Sequence, residues 1–489
     1  MISVLNDPLI SAVDLNGNVK CYCLMDILTH ANQLEDIKAN SCTGKMALLR
    51  LCMAFLMDAY PVESIMDRSE MMNAGCFDRD LLMGYVKQCE EKGPCFLLDD
   101  ATYPFMQATF DAGLDGKAEK PVCKMMFDRA SGNNHIHNDH RYENQHEADT
   151  ATAFEAMLET YLFCPAGLSG ASNVNNTPPV YAILHGKNLF ETLVLNMVSQ
   201  DEISEIPYGQ GEVAWRRREK IVPGTMTIEM SLLKALTWQP RRITLHWDED
   251  GKVRRMFFQN GLNFQGNSLW RDPHVLLRQT KDGGFASIKP ELGRELWRDA
   301  GVLLQGGRGG RTTIPIQNID DVEWPDREDR LDIEMVGLIT SNEAILGRMN
   351  ERLKLPRVLF EDEDKADEFY RALEMCERMY RSVDQAVKWQ FCHPGDKKKR
   401  SAIAQQAGEA FLHEMRLVLF DDYLHWLEEG EIDQRSGRYM NAMWEALDRS
   451  VLKNIVEQTG RDVPSIIRQN AVRGKVRKDF NEIWERSEA

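Results

Sequence analysis

The chain lacks the sequence features of secreted, membrane-spanning and disulfide-bonded proteins. Residues 1–10 contain no basic n-region followed by an apolar segment, and no apolar run approaches the roughly 20 residues that a membrane-spanning helix requires. None of the 11 cysteines belongs to a Cys-x-x-Cys pair, and Cys52, Cys89 and Cys164 lie among apolar residues, as small buried side chains do. We therefore expect a cytoplasmic protein with reduced cysteines, no zinc ribbon and no membrane association.

The motifs of common enzyme families are missing as well. The sequence contains no Gly-x-Ser-x-Gly elbow, no Gly-x-x-x-x-Gly-Lys-Ser/Thr phosphate loop, no His-Glu-x-x-His helix and no dinucleotide fingerprint. The glycine- and arginine-rich stretch at 306–311 is more typical of a flexible loop that touches phosphate than of a nucleotide pocket. These absences favour a protein that is not an enzyme and needs no cofactor.

What the chain does have is a strong negative charge interrupted by basic clusters. The net charge of −17 argues against nonspecific coating of nucleic acid, because such binding is driven by neutralisation of phosphates. Basic clusters lie at 216–218, 241–242, 252–255, 397–400 and 468–478, and acidic runs lie at 361–368 and 428–431. This distribution is typical of one subunit of a nucleoprotein complex, in which only some faces meet phosphate. Solvated faces are the alternative interpretation.

Length and hydrophobic pattern predict more than one domain. The 489 residues, 43% of them hydrophobic, are enough for about two to four domains with cores of their own. Helical patterns at 46–58, 79–91, 150–163, 189–198 and 227–236 mix with strand patterns at 243–247, 256–258 and 333–339. Residues 1–360 are therefore predicted to form a large, irregular α+β domain.

Strand patterns stop after residue 364, and helical segments follow at 365–391, 401–427, 437–458 and 464–486. Apolar residues recur every three or four positions, as in Phe369, Leu373 and Cys376, which gives each helix one core-facing stripe. Glycine and proline mark the breaks between the segments. Residues 361–489 are therefore predicted to form an up-down four-helix bundle.

The stretch at 132–140, Gly-Asn-Asn-His-Ile-His-Asn-Asp-His, combines amide, imidazole and carboxylate groups without an apolar period. Such a run is typical of an exposed functional loop. One interpretation is a metal site formed by His135, His137, Asp139 and His140, with His146 nearby. A loop that recognises a ligand through its amides is the second interpretation, and a solvated loop without a role is the third. The spacing does not match a regular zinc site, which favours recognition.

Five motifs follow one another in a defined order and spacing. They are Pro104-Phe105-Met106-Gln107, then Ser131-Gly132-Asn133-Asn134 through Asp139-His140, then Gly167-Leu168-Ser169-Gly170 leading to Thr177-Pro178, then Leu236-Thr237-Trp238-Gln239-Pro240, and Leu269-Trp270-Arg271-Asp272-Pro273-His274. By this order and spacing the chain resembles the CasA-type large subunit of the type I-E CRISPR surveillance complex, Cascade. The resemblance covers most of the chain, including the C-terminal four-helix bundle.

The resemblance implies a DNA-recognition subunit without catalytic residues. Such a subunit lies at the 5′-handle end of the crRNA, inspects double-stranded DNA for the protospacer-adjacent motif (PAM) and helps to open it, so that the guide forms an R-loop. The implied partners are crRNA, double-stranded target DNA with a PAM, a recruited helicase-nuclease, and the backbone, small and handle-binding subunits of Cascade.

Roles for individual residues follow from the same resemblance. The loop that contacts the crRNA handle near the PAM corresponds to Asn133, Asn134, His137, Asn138, Asp139 and His140, and Asn138 stands where the family commonly has an aromatic residue. The glycine loop that approaches the minor groove corresponds to Gly167, Ser169 and Gly170. At such a loop, a missing Cβ lets the backbone meet base edges closely.

The family's glutamine-bearing hairpin corresponds to 314–319, and Gln317, flanked by Asn318, is the implied wedge. Insertion of a wedge between base pairs costs on the order of a few kcal/mol of unstacking, which RNA–DNA pairing offsets. A strand with outward-facing amides is the alternative interpretation of this segment.

Basic residues supply the remaining candidate contacts. The lysine that enters the minor groove in relatives has no clear match, and Lys252, Arg254 and Arg255 are the candidates to replace it, in a region without the Cys-rich insert of some relatives. Candidates to hold a DNA backbone on the last helix are Arg468, Arg473, Lys475, Arg477 and Lys478. A solvated helix face is the alternative.

Two other functions remain open on the sequence. A metal-dependent nuclease with His135, His137, Asp139 and His140 as ligands would bind a divalent metal and cut DNA alone. An acidic helical scaffold would keep every activity after charge reversal at Arg473, Lys475 and Arg477.

Overall fold

The computed structural model describes most of the chain in two compact units. The described residues are 1–129, 147–165, 174–175, 177–204, 206, 208–218, 220–266, 270–304, 306–323, 325, 327–341, 344–391, 397–430, 432–456 and 459–487. The first unit contains Met1–Leu296 and Gly309–Lys354, and the second contains Trp297–Arg308 and Leu355–Ala489.

The first unit mixes short helices with small sheets. Its helices are α1 (Leu24–Thr29), α2 (Cys42–Ala59), α3 (Ile65–Ala74), α4 (Arg79–Cys89), α5 (Ala112–Asp115), α6 (Thr150–Phe163), α7 (Leu189–Asn196), α8 (Ala214–Arg217), α9 (Leu232–Leu236) and α10 (Ile314–Gln317). Its strands are β1 (Ile10–Asp14), β2 (Val19–Tyr22), β3 (Leu34–Ile37), β4 (Glu119–Pro121), β5 (Tyr181–His185), β6 (Met226–Thr227), β7 (Arg241–Trp247), β8 (Val253–Asn260), β9 (Asn263–Phe264), β10 (Leu277–Gln279), β11 (Phe285–Ser287), β12 (Gly310–Arg311), β13 (Arg330–Ser341) and β14 (Ala344–Pro356).

Helix α2 is the centre of the first unit. Ser41 caps its N-terminus by accepting a hydrogen bond from the Gly44 amide at 2.9 Å. From Thr43 to Met57 every residue except Lys45 is buried, which is typical of a helix that is apolar on all sides. It packs against α6, α7, α9 and β13. The functional elements described below are therefore attached to a rigid core helix.

Two three-stranded sheets flank this core. In one, β13 lies between β14 and β5, and residues 331–339 of β13 are buried. In the other, β8 lies between β4 and β7. The remaining sheets have the orders β2-β1-β3, β11-β10-β12 and β6-β9.

The Arg50–Asp272 ion pair ties α2 to the loop before β10. The Arg50 guanidinium donates from both terminal nitrogens to the two carboxylate oxygens at 2.8 and 2.9 Å, and both side chains are buried. Burial and the neighbouring Arg50 charge lower the pKa of His274 to about 4. Neutral His274 accepts from Arg50 and donates to the Asn196 carbonyl at 2.8 Å. Asp272 and His274 of the last sequence motif thus hold the core together.

The second unit is helical, and the predicted α+β class of the whole chain is confirmed. Its helices are α11 (Val358–Glu361), α12 (Glu363–Gln390), α13 (Lys397–Leu417), α14 (Leu424–Glu428), α15 (Ile432–Ala446) and α16 (Val463–Ser487), with π-helical turns at Val418–Tyr423 and Leu447–Val456. Helix α12 packs against α13 and α16, and Tyr439 donates to the Ala372 carbonyl at 2.7 Å. All four predicted helical segments are found, while their arrangement as one up-down bundle stays a prediction. None of the helices in the described part of the chain is long and apolar enough to cross a membrane.

Residues Trp297–Arg308 belong to this second unit, although they lie within the predicted 1–360 domain. Arg298 binds both carboxylate oxygens of Glu377 on α12, at 2.5 and 2.9 Å, and the Arg298 guanidinium lies 4.4 Å from the centre of the Tyr380 ring. Trp297 packs edge-to-face on Phe420. These contacts join partners far apart in sequence, which periodicity does not reveal.

Most predicted elements of the first unit are confirmed, and one is partly wrong. The helices at 46–58, 79–91, 150–163 and 189–198 and the strands at 243–247, 256–258 and 333–339 are all present. The predicted helix at 227–236 is helical only from Leu232 to Leu236, because Met226 and Thr227 pair in parallel with Asn263 and Phe264. Tertiary strand pairing here overrides local helix propensity.

Replacement of Arg50 by alanine leaves the Asp272 carboxylate buried without its cation. We expect a loss of about 3–5 kcal/mol in the free energy of unfolding, measured by urea denaturation. Lys354→Ala is the control, because Lys354 is exposed and lies 3.7 Å from Asp332. Equal losses in the free energy of unfolding for the two substitutions would show that removing the partner of a buried charge costs no more here than removing an exposed one.

Candidate nucleic-acid interface

Two of the predicted recognition loops lie outside the described residues. They are the predicted handle loop, with Asn133, Asn134, His137, Asn138, Asp139 and His140, and the predicted glycine loop, with Gly167, Ser169 and Gly170. The proposed metal ligand His135 lies outside the described residues too. Their flanks are described: Phe127 is buried just before the first loop, and α6 leads to the second.

The segment at 314–319 is not a hairpin. Ile314–Gln317 form α10, which Thr313 caps by accepting from the Ile316 amide, with a proline in the first turn. Gln317 is exposed and accepts a hydrogen bond from Arg271 at 3.0 Å, whereas Asn318 donates to Glu202 at 3.0 Å. Glu202 also binds buried Arg68 at 2.6 Å. The predicted hairpin and the alternative strand are both wrong here, because a capped, proline-started turn favours helix.

Strands β13 and β14 form a hairpin elsewhere in the first unit. They are neighbours in one sheet, and only residues 342–343 separate them in the sequence. Near this connection the side chains are accessible: Ser341 is exposed, and Leu346 exposes 48% of its surface.

Arg254 and Arg255 contact carboxylates in this structure. Arg254 lies 2.6 Å from Glu147, 2.9 Å from Asp248 and 2.6 Å from Asp250. Arg255 lies 2.8 Å from Glu119. The hydrogen bond from Arg254 is the main cause that lowers the pKa of Asp250 to about 2. Phosphate would have to displace these carboxylates before either arginine contacts DNA.

Two of the predicted basic strips are partly or wholly structural. Arg241 and Arg242 are buried, and Arg242 pairs with buried Asp115 at 2.7 Å. Arg216 lies 3.3 Å from Asp58. The basic cluster at 241–242 is therefore neither a phosphate-binding face nor a solvated one, since both side chains are buried.

The basic residues of α16 lie on two sides of the helix. A buried stripe formed by Gln469, Val472, Val476 and Phe480 separates them. At 100° per residue, Arg468, Lys475 and Lys478 fall on one side, while Arg473 and Arg477 fall on the other. On the first side, Lys475 pairs with Asp479 and Lys478 with Glu482. On the second side, the Arg477 guanidinium lies 5.5 Å from the Trp444 ring centre. The five residues do not form one strip.

Two glutamates in α6 organise a buried polar cluster that the sequence interpretation missed. Glu159 accepts from Thr43 and from Arg348 on β14, the latter at 3.1 Å. Glu155 accepts from the backbone amide and the side-chain amide of Asn40, at 2.9 and 2.8 Å. The available signal was the Glu-x-x-x-Glu spacing within the otherwise apolar helix at 150–163, because buried carboxylates need partners.

A neighbouring cluster has the composition of a metal site but holds a lysine. Ligand atoms of Asp36, His185 and Glu334 lie within 4.8 Å of one another. The Lys45 ammonium lies between two of them, 2.8 Å from Asp36 and 2.6 Å from Glu334. Burial opposes ionisation of Glu334, yet the hydrogen bond from His185 and the charge of Lys45 lower its pKa to about 2. The ammonium supplies the positive charge that a metal ion would bring.

Comparison with known proteins gives one consistent result. Residues 4–454 match the family model described as CRISPR-associated protein Cse1. CasA/Cse1 of Thermus thermophilus is 26% identical over 398 residues, which are 77% of this chain and 75% of that protein. Among solved structures, Thermobifida fusca Cse1 is similar with a TM-score of 0.77 and 18% identity, covering 98% of both chains. A chain of a CRISPR RNA-guided surveillance complex has a TM-score of 0.79 and 17% identity, covering 97% of this chain and 99% of that chain.

Glu155 makes stability depend on pH. Burial is the main cause that raises its pKa from 4.5 to about 7, with a contribution from the charge of Glu159. Between these values the folded protein binds more protons than the unfolded chain. We therefore expect the free energy of unfolding to fall by about 3 kcal/mol as pH rises from 4.5 to 7.5. Urea denaturation of wild type and Glu155→Gln at a series of pH values tests this. If the free energy of unfolding of Glu155→Gln falls with pH as steeply as that of wild type, groups other than Glu155 cause the pH dependence.

Proposed function

We propose, because the chain belongs to the Cse1 family of CRISPR-associated proteins, that it is the large subunit of a type I-E Cascade surveillance complex. In this role it recognises the PAM in double-stranded DNA and helps to unwind the duplex for crRNA pairing. The family match over residues 4–454 carries the proposal, and the fold likeness to a chain of an RNA-guided surveillance complex supports it.

Sequence specificity in such a complex rests on base pairing with the guide, while the protein reads only a short duplex motif. A subunit with this task needs no catalytic group, so we propose that the chain is not an enzyme. Its partners would be crRNA, the PAM-bearing duplex, the other Cascade subunits and a recruited helicase-nuclease. The residues at 361–489 would form the four-helix bundle, with the basic residues of α16 available on two sides for DNA backbone or protein.

Recognition of the duplex would use the two loops predicted from the sequence. Gly170, with Gly167 and Ser169, would bring backbone against base edges in the minor groove, where a Cβ would prevent the approach. Residues Asn133 to His140 would contact the crRNA handle. With Asn138 at a commonly aromatic position, hydrogen bonding through its amide would replace stacking.

Strand opening would use the β13–β14 hairpin rather than Gln317. Gln317 ends a short helix whose other residues are buried, and it already accepts a hydrogen bond from Arg271. Strands β13 and β14 are consecutive in the sequence and neighbours in one sheet, and Leu346 near the start of β14 exposes 48% of its surface. Apolar side chains such as leucine act as wedges that unstack base pairs in other DNA-binding proteins.

The test is binding and opening of DNA by a guide-loaded complex assembled with wild-type or variant subunit. Wild type should bind PAM-bearing duplex at least tenfold more tightly than duplex with a scrambled motif, and Gly170→Asp should abolish this difference. A wild-type complex that binds both duplexes equally would overturn the proposed role.

Leu346→Ser should slow strand opening about tenfold, because a polar side chain forfeits the apolar contact with unstacked bases; 2-aminopurine fluorescence beside the PAM measures opening. Gln317→Ala should behave as wild type. Leu292→Ser is the matched control, since Leu292 is an exposed leucine at another site in the same unit. A defect in Gln317→Ala without one in Leu346→Ser would return the wedge to α10.

A further inference from the structure

Arg348 joins strand β14 to helix α2, to helix α6 and to the segment before residue 130. It belongs to β14, two residues beyond Leu346. Its Nε donates to Thr43 Oγ1 at 2.7 Å, and one terminal nitrogen donates to Glu159 Oε1 at 3.1 Å. Its guanidinium carbon lies 5.7 Å from the centre of the Phe127 ring.

Each partner of Arg348 lies close in sequence to a proposed contact. Phe127 precedes the segment at 130–146 by three residues, and Glu159 precedes the segment at 166–173 by seven residues within the same helix and its end. Thr43 belongs to the first turn of the buried core helix α2 and donates its hydroxyl to Glu159. One side chain thus connects β14 to the segment before residue 130, to α6 and to the core helix α2.

The environment makes this connection specific. The Arg348 side chain exposes only 22% of its surface and the Glu159 side chain 5%, so solvent screens their charges weakly. A planar guanidinium with fixed donors can serve a hydroxyl, a carboxylate and a ring face at once, which a lysine ammonium cannot do with the same geometry.

We propose that Arg348 is a positioning residue that couples PAM reading by the loops to strand opening by the hairpin. The inference rests on the proposed function. Arg348 itself does not contact DNA in this role. It fixes the position of β14 relative to α6 and to the segment before residue 130. Loss of the contact would leave buried Glu159 without its cation and would remove this tie between β14 and α6.

The experiment compares Arg348→Gln and Arg348→Lys with Arg352→Gln in the guide-loaded complex. Arg352 is the matched control, because it lies on the same strand, four residues further along, and pairs with Asp332 on β13 at 2.6 Å. Binding is measured on PAM-bearing duplex, on motif-scrambled duplex and on PAM-bearing duplex already melted beside the motif. Incorporation into the complex and the unfolding temperature are measured in parallel.

The expected result is that Arg348→Gln enters the complex normally, loses about tenfold in binding and opening of intact PAM-bearing duplex, and binds the melted duplex as wild type does. Arg348→Lys should lose most of the same effect, and Arg352→Gln should match wild type. Rescue by melted DNA is a result that a merely structural role would not produce.

Three outcomes would overturn the inference. Arg348→Gln that behaves as wild type excludes a positioning role. An equal loss on intact, scrambled and melted DNA, or failure to enter the complex, would make Arg348 a residue of fold stability only. If the wild-type complex binds PAM-bearing and motif-scrambled duplex equally, the proposed function and this inference are both wrong. If the wild-type complex prefers the PAM-bearing duplex, a negative result with the Arg348 variants excludes only the role of Arg348.

Discussion

The need of buried carboxylates for partners is the constraint on which the first unit depends. Glu155 and Glu159 lie on the face of α6 that packs against α2, where water does not reach them. Each must therefore find donors within the protein. Asn40 supplies two for Glu155, and Thr43 and Arg348 supply those for Glu159. The N-terminus of α2, helix α6 and strand β14 are joined because these buried carboxyl groups need hydrogen-bond donors.

The same logic repeats around α2. Lys45 neutralises Asp36 and Glu334, and Arg50 neutralises Asp272, so cations on successive turns of one helix hold a strand, a sheet and a loop. Such pairs add little net stability over apolar packing, yet breaking one leaves an isolated charge in the core. They therefore specify which elements meet more than they strengthen the fold. Several residues of the recognisable motifs, Asp272 and His274 among them, serve this internal purpose.

Long periodic elements were predictable from the sequence, and contacts between distant charges were not. The helix at 150–163 matches α6 at both ends, since a complete apolar pattern and an aspartate cap are local signals. The prediction for 227–236 is partly wrong because Thr227 pairs with Phe264 in a strand, and the prediction for 314–319 is wrong because Thr313 caps a helical turn there. Basic residues were the least predictable part of the site. Arg242 looks like Arg254 in the sequence, and only the fold shows that one is buried against Asp115 and the other is exposed among acids.

The residue that attaches β14 to α6, Arg348, is separated in the sequence from the exposed residues of the hairpin. Arg348 holds β14 to α6, while the exposed positions Ser341 and Leu346 lie on the far side of that attachment, next to the connection. The hydrogen bonds that Arg348 donates to Thr43 and Glu159 do not involve Ser341 or Leu346. The residues that attach β14 are thus distinct from those available for contact with a partner. A library randomised at 341–346, with Arg348, Glu159 and Thr43 held constant, would vary the contact surface while keeping the attachment of β14.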